Sequence, residues 1–368
     1  MSTYYTCIDA KTSGYERLLE PPFRVIKHVP GAGVLVSLGE DGIAALREVF
    51  ADIATDCRNR DDGSIHPAIW LHDDNLNFYE LTESTFEPLG FKQRPDWRRG
   101  IIRSMKVNAR RRAKAARYRE RDVAACAKLT RPAVHKGRQS LVWFPFYRHY
   151  KYAKPGGDGQ FRLRFRRARG KKPLPLLIYL HGAGSFGYNG IMSMNEFTAL
   201  WLGLRKARQR CHVLVPQLPL RGDGYEDDAW SQSLTEVIDW IAETTGTLDR
   251  SRIFITGTSY GGYGAIMECL RHPERCAACV TAVAALANLG RPLEDEDYDA
   301  LAKTPLWLGY SRDEKKLNEP LYEALSARGA DVRRTYLQRF GHGLGGPVFW
   351  MTKPWAKWLF SHKKAAGE

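Results

Sequence analysis

From Phe161 to Phe340 the chain alternates short apolar runs with segments of helical length, and that rhythm leaves few folds open. The runs are FRLRFRR (161–167), PLLIYL (175–180), HVLVPQ (212–217), RIFITG (252–257), CVTAVAAL (279–286), PLWLGY (305–310) and VRRTYLQRF (332–340). The later runs are apolar almost throughout, as parallel strands covered on both faces must be. Between them, AWSQSLTEVIDWIAETTG (229–246) sets Trp230, Leu234, Val237, Ile238 and Ile241 on one helical face. The alternation predicts an α/β domain, a mostly parallel sheet flanked by helices, entered through the first two strands as an antiparallel pair.

Three regions are expected. Residues 1–90 form a small mixed α/β unit: VLVSL (34–38) reads as a strand, residues 39–42 as a turn, 43–54 as an amphipathic helix, and 68–81 as extended segments around a polar turn. His72-Asp73-Asp74 in that turn lacks the further ligands of a metal site. Residues 91–136 read as a basic helical linker, since 101–130 contains neither Gly nor Pro and is rich in Ala, Arg, Lys and Glu. Residues 137–368 carry the α/β pattern. Charge is concentrated in one block. Residues 91–180 hold 27 Lys/Arg against 4 Asp/Glu, in a chain of 368 residues with net charge +15. Arg110-Arg111-Arg112 and RLRFRRARGKK (162–172) would attract polyanions, so contact with nucleic acid or an anionic surface through 91–172 is a reading of a second class. No apolar run reaches the ~18 residues of a membrane span. The N-terminal MSTYYTCIDAKTSG lacks the pattern of a secretory signal. Seven scattered cysteines suit reduced thiols, with Cys276 and Cys279 read as small buried residues. A cytoplasmic protein is expected.

The chemistry is concentrated around ITGTSYGGYGA (255–265). Gly257-Thr258-Ser259-Tyr260-Gly261 is a G-x-S-x-G pentapeptide set between a predicted strand and the predicted helix YGGYGAIMECLRH, the context of a nucleophile elbow. The flanking glycines let neighbouring chain pass a strained serine. A serine needs a base, an orienting acid and oxyanion donors. His181-Gly182-Ala183-Gly184, directly after PLLIYL, offers backbone N–H groups of Ala183 or Gly184, and Tyr260 N–H is the second donor; His181 is read as stabilising the turn. PLWLGYSRD places Asp313 just past a late strand, with Glu314 as the neighbouring alternative. FGHG places His342 after the last strand. The order Ser259, Asp313, His342 is that of one well-known hydrolase fold. Tyr188, Tyr225 and Trp230 read as core or rim residues near the site.

On these motifs the chain resembles the α/β-hydrolase superfamily, and more narrowly esterases and predicted peptidases related to polyhydroxyalkanoate depolymerases and feruloyl esterases. The resemblance lies in PLPLLIYLHGAGSFGYNG, VLVPQLP, LDRSRIFITGTSYGGYGAIMECLRHPERCAACV, PLWLGYSRDE and FGHG, about residues 160–362. It implies a Ser259–His342–Asp313 triad acting on a small-molecule carboxylic ester, without metal or organic cofactor. A serine peptidase of the same fold is the alternative. The segment 289–304 is too short for a large lid, which favours short acyl groups.

Overall fold

The computed structural model describes residues 3–9, 14–30, 32–50, 56–59, 65–82, 84–92, 95–126, 129–137, 140–155, 161–219, 224–289 and 291–364. They fall into two compact units, Met1–Arg117 and Tyr118–Glu368.

In the first unit, strands β1 (Tyr4–Asp9), β2 (Arg24–Val29), β3 (Gly33–Leu38), β4 (Asp56–Asn59), β5 (Ile65–Asp73), β6 (Asn77–Leu81) and β7 (Phe86–Lys92) form an antiparallel sheet of order β2-β3-β1-β5-β6-β7, with β4 on β5. Alternation decides its faces. Val34, Val36 and Leu38 share one core with Leu18 and with Leu46 of helix α1 (Glu40–Glu48), whereas Leu35 joins Tyr5 and Trp97 on the other side. Trp97 opens helix α2 (Trp97–Cys126), the helix expected from the basic block. α1 begins earlier than predicted, within the stretch read as a turn, and the remainder of that prediction, 51–54, lies outside the described residues. His72 and Asp73 end β5, and Asp73 accepts the Asn77 backbone N–H (2.9 Å) across the turn into β6.

The second unit has a nine-stranded sheet: β8 (Ala133–Lys136), β9 (Arg148–Ala153), β10 (Phe161–Arg166), β11 (Leu174–Leu180), β12 (His212–Gln217), β13 (Leu248–Thr258), β14 (Cys276–Ala282), β15 (Leu306–Ser311) and β16 (Val332–Leu337), ordered β16-β15-β14-β13-β11-β12-β10-β9-β8. β11 through β16 are mutually parallel. The helices are α3 (Met192–Lys206), α4 (Asp228–Thr245), α5 (Tyr260–Arg271), α6 (Asp295–Ala302), α7 (Lys315–Ala327), α8 (His342–Thr352) and α9 (Trp355–Leu359). β11 shows why the central runs are continuously apolar. Leu176, Ile178 and Leu180 face the layer that holds α4 and α5; Leu177 and Tyr179 face the layer of α3 and α8. The five residues predicted to share a face of α4 are all buried, as are Cys276 and Cys279.

Two expectations about strands are corrected. FRLRFR does not pair with PLLIYL: β10 lies antiparallel between β9 and β12, and β11 lies between β12 and β13, parallel to both. In β10 the alternation puts Phe161, Leu163 and Phe165 on the core layer that holds α4 and buries Arg164 on the other face, bonded to the Gly190 carbonyl (2.8 Å), whereas the wholly apolar β11 fills both layers at the centre. β14 stops at Ala282 because Val283 takes a positive φ (47°), disfavoured for a β-branched residue, and turns the chain away.

Candidate active site

The strand order reverses at β11. The chain passes from β11 to β12 on one side and returns to β13 on the other, and sheets of this kind bind ligands at the carboxyl ends of the strands flanking such a reversal. Leu180 of β11 is in register with Gly257 of β13. The HGAG turn and the Ser259 turn therefore leave the sheet side by side.

Ser259 sits between β13 and α5 with φ 58° and ψ −121°, a conformation that side chains resist. Its backbone is held there from three directions. Its N–H donates to the Ala282 carbonyl (2.9 Å), and its carbonyl accepts from Tyr263 N–H (3.1 Å) and Ala285 N–H (3.0 Å). The glycines of the motif are steric necessities: a Cβ on Gly257 would overlap the Gly261 carbonyl, and one on Gly261 the Leu180 carbonyl. As the first residue of α5, Tyr260 has an N–H that no helical carbonyl can accept, at the positive end of the helix.

Ser259 Oγ lies 2.9 Å from His342 Nε2, and His342 Nδ1 lies 2.6 Å from Glu314 Oε1. This corrects the expectation that Asp313 partners the imidazole. The reason is the short 3-10 turn Arg312–Glu314 after β15. Glu314 folds back to accept Ser311 N–H (3.0 Å) and Ser311 Oγ–H (2.6 Å), which aims its other oxygen at the ring. Asp313 points to the surface, near Arg312, and accepts the backbone N–H of His342 (2.8 Å). It thus positions the first residue of α8 rather than its ring. Burial works to raise the Glu314 pKa, but hydrogen bonds from His342 and Ser311 outweigh it and hold the carboxyl below its usual range. The bond to Glu314 is the main force raising the His342 pKa, opposed by burial and helped by the charges of Glu314, Asp313 and Glu196.

Opposite the serine, the HGAG turn spends several donors on itself. Tyr225 Oη accepts His181 N–H (3.1 Å), Glu196 Oε1 accepts Gly182 N–H (2.8 Å), and Ser185 N–H returns to the Gly182 carbonyl (3.0 Å). Ala183 and Gly184 fall between, on the exposed start of a 3-10 turn. His181 is fully buried. Leu218 N–H donates to its Nε2 (3.0 Å), so its proton sits on Nδ1 and is given to the Gly182 carbonyl (2.8 Å). Burial pushes its pKa down to about 4. It is a neutral brace between the turn and the end of β12. Tyr225 and Trp230 are buried in the core, while Tyr188 is half-buried and stacks on Tyr118.

Glu196 is the residue that sequence reasoning missed. From α3 it reaches under the turn, accepting Gly182 N–H on one oxygen and Ser185 Oγ–H (2.8 Å) on the other. Tyr179 Oη stands 3.1 Å from Glu196 and 3.0 Å from Thr258 Oγ1, which also accepts Trp350 Nε1–H (2.8 Å). Thr258 Oγ1 accepts from both Trp350 and Tyr179, and Tyr179 Oη also reaches Glu196 Oε1, so the contacts form one line from Trp350 to Glu196. It ties α8, the residue before Ser259 and the HGAG turn together. Burial pushes the Glu196 pKa up, against these hydrogen bonds. The signal was present: Glu196 stands four residues before the buried Leu200, a carboxylate on the core-facing stripe of α3.

No helix of the described residues is long and apolar enough to cross a membrane. No curated protein sequence matches the chain. Solved structures resemble it at low identity. A thermostable esterase is 21% identical over 59% of this chain and 63% of its own, with a TM-score of 0.49. The S-formylglutathione hydrolase FrmB of Staphylococcus aureus is 17% identical over 58% and 98%, with a TM-score of 0.43. A ferulic acid esterase is 14% identical over 62% and 100%, with a TM-score of 0.44. The chain thus spans less than two thirds of the length of the first of these. The model of the alpha/beta hydrolase family matches residues 177–364, from the middle of β11 to beyond α9, and the chain belongs to that family.

Proposed function

We propose that the protein is a serine hydrolase that cleaves carboxylic esters through an acyl-enzyme. The observation that carries this reading is the unbroken line from Ser259 Oγ through His342 to Glu314, at 2.9 and 2.6 Å. His342 Nε2 takes the hydroxyl proton as Oγ attacks the ester carbonyl. Glu314 holds the other ring proton and balances the imidazolium. The backbone N–H groups of Tyr260 and of Ala183 or Gly184 receive the oxyanion. His342 then returns its proton to the leaving alkoxide, and water, deprotonated by the same nitrogen, releases the acid. Short acyl groups are favoured because the described residues between β14 and β15 hold only a 3-10 turn (Leu286–Leu289) and the eight-residue α6.

Labelling with a fluorophosphonate tests the nucleophile: the wild type is labelled at Ser259 and Ser259→Ala is not. Absence of labelling in folded wild-type protein overturns the proposal. A panel of esters of increasing acyl length, with matched amides, separates esterase from peptidase and sizes the pocket.

A further inference from the structure

One apolar feature of the second unit takes no part in this chemistry. β8 and β9 form an antiparallel hairpin, Lys136 opposite Tyr150, with Gly137 N–H closing on the His149 carbonyl (2.8 Å). Its connection contains LVWFPFY (141–147). Val142, Trp143 and Phe146 are 89%, 86% and 75% exposed. They are held outward by the residues between and after them. Phe144 and Tyr147 are buried against each other, with ring centroids 5.4 Å apart. Phe144 also meets Trp201 of α3 at 5.3 Å, and Tyr147 meets Phe197 at 5.6 Å. Phe144 N–H and Tyr147 N–H return to the carbonyls of Leu141 and Phe144 (3.2 and 3.1 Å), which sets the turns. The Arg164 guanidinium, fully buried, reaches the Tyr147 carbonyl (3.4 Å). The exposure is therefore built into an anchored loop, and clustered exposed apolar side chains mark a contact surface.

The sequence that carries the tip is strongly basic. Lys136 and Arg148 are exposed at its base. Arg205 lies over the Trp201 ring that backs Phe144, at 4.9 Å, and Lys206, Arg208 and Arg210 are exposed beyond it. From Arg131 to Leu180 the sequence carries 13 Lys/Arg and a single acid, Asp158. An amphipathic aromatic tip in a basic collar matches an anionic bilayer surface, where Trp and Phe settle at headgroup depth and cations meet lipid phosphates. A protein surface of mixed charge would not be matched by a basic collar.

We propose that the 141–147 tip docks the protein on anionic membranes, inserting Val142, Trp143 and Phe146 with Lys136, Arg148 and Arg205 on the headgroups. This does not depend on the hydrolase reading. The test is co-sedimentation of the full chain with phosphatidylglycerol–phosphatidylcholine vesicles and with phosphatidylcholine alone. Wild type, Trp143→Ala/Phe146→Ala and Arg148→Glu are compared, with circular dichroism and thermal melting as the check on folding. Wild type is expected to bind the anionic vesicles, more weakly at high salt, and both variants to lose about tenfold or more of that binding while melting as wild type does. Quenching by bromine-labelled lipid should reach Trp143 fluorescence and diminish in Trp143→Ala. Three results overturn the proposal: no binding by wild type, equal binding by the tip variant, or a wild-type dimer that the tip substitutions dissolve with no vesicle binding.

Discussion

At the scale of single residues, two neighbouring carboxylates have separate tasks, and substitution tells them apart. Glu314→Gln leaves the shape but removes the charge behind His342, so kcat is expected to fall by about 10³–10⁴. Asp313→Asn keeps an acceptor for the His342 N–H (2.8 Å) and should cost within about tenfold; steady-state kinetics on an activated ester measures both. The pH profile follows the same pair. In the proposed mechanism His342 acts as a neutral base, and its pKa is raised above 6.5. Activity therefore rises with pH through a midpoint above 6.5, and Glu314→Gln, which removes the chief cause of the shift, moves that midpoint down. Stability runs the other way. The raised His342 pKa contributes fully below 6.5 and is lost as pH climbs through the folded value; the lowered Glu314 pKa contributes fully above 4.5 and is lost in acid. The pair stabilises the fold most between those values, on the acid side of its activity. That Ser259 and His342 come together was legible, because glycine spacing and chain order mark them. The choice between Asp313 and Glu314 was not, because it rests on a 3-10 turn whose capping by Ser311 turns one acid inward and the other out.

At the scale of elements, the turn into α5 shows packing overruling propensity. Within a helix, Gly→Ala ordinarily stabilises by about 0.5–1 kcal/mol. Gly261 lies in α5, yet its missing Cβ makes room for the Leu180 and His181 carbonyls at the end of β11. Gly261→Ala is expected to destabilise by about 1–3 kcal/mol or more and to cut activity by shifting Tyr260 N–H. Gly184→Ala, whose Cβ would meet open space, should melt as wild type. Thermal denaturation of the two compares them directly. The central strands were readable from sequence because burial on both faces leaves an unbroken apolar run. The place of β10 was not, since its neighbour in sequence, β11, is not its neighbour in the sheet. Glu196 escaped notice for a related reason: its role depends on what α3 packs beneath, which periodicity locates only to a face.

At the scale of the whole molecule, every residue assigned to the chemistry belongs to the Tyr118–Glu368 unit, and the first unit has a core of its own around Leu18, Val36, Leu46 and Leu71. Leu71→Ala should destabilise that unit by about 2–5 kcal/mol and leave kcat/KM unchanged at temperatures where the chain is folded; calorimetry and kinetics on one sample check this. The sequence announced this first unit as mixed strands and helix but said little of its seven-stranded sheet, because short antiparallel strands with mixed faces carry a weak signal. The bent backbone of Ser259 has a final consequence for the molecule's evolution. Its φ of 58° is one that glycine adopts without strain. Ser259→Gly should therefore raise the denaturant midpoint, by about 1 kcal/mol of added stability, while abolishing turnover. A library screened for heat resistance alone would drift toward disarmed proteins, and only a screen that also demands product would hold the hydroxyl in place.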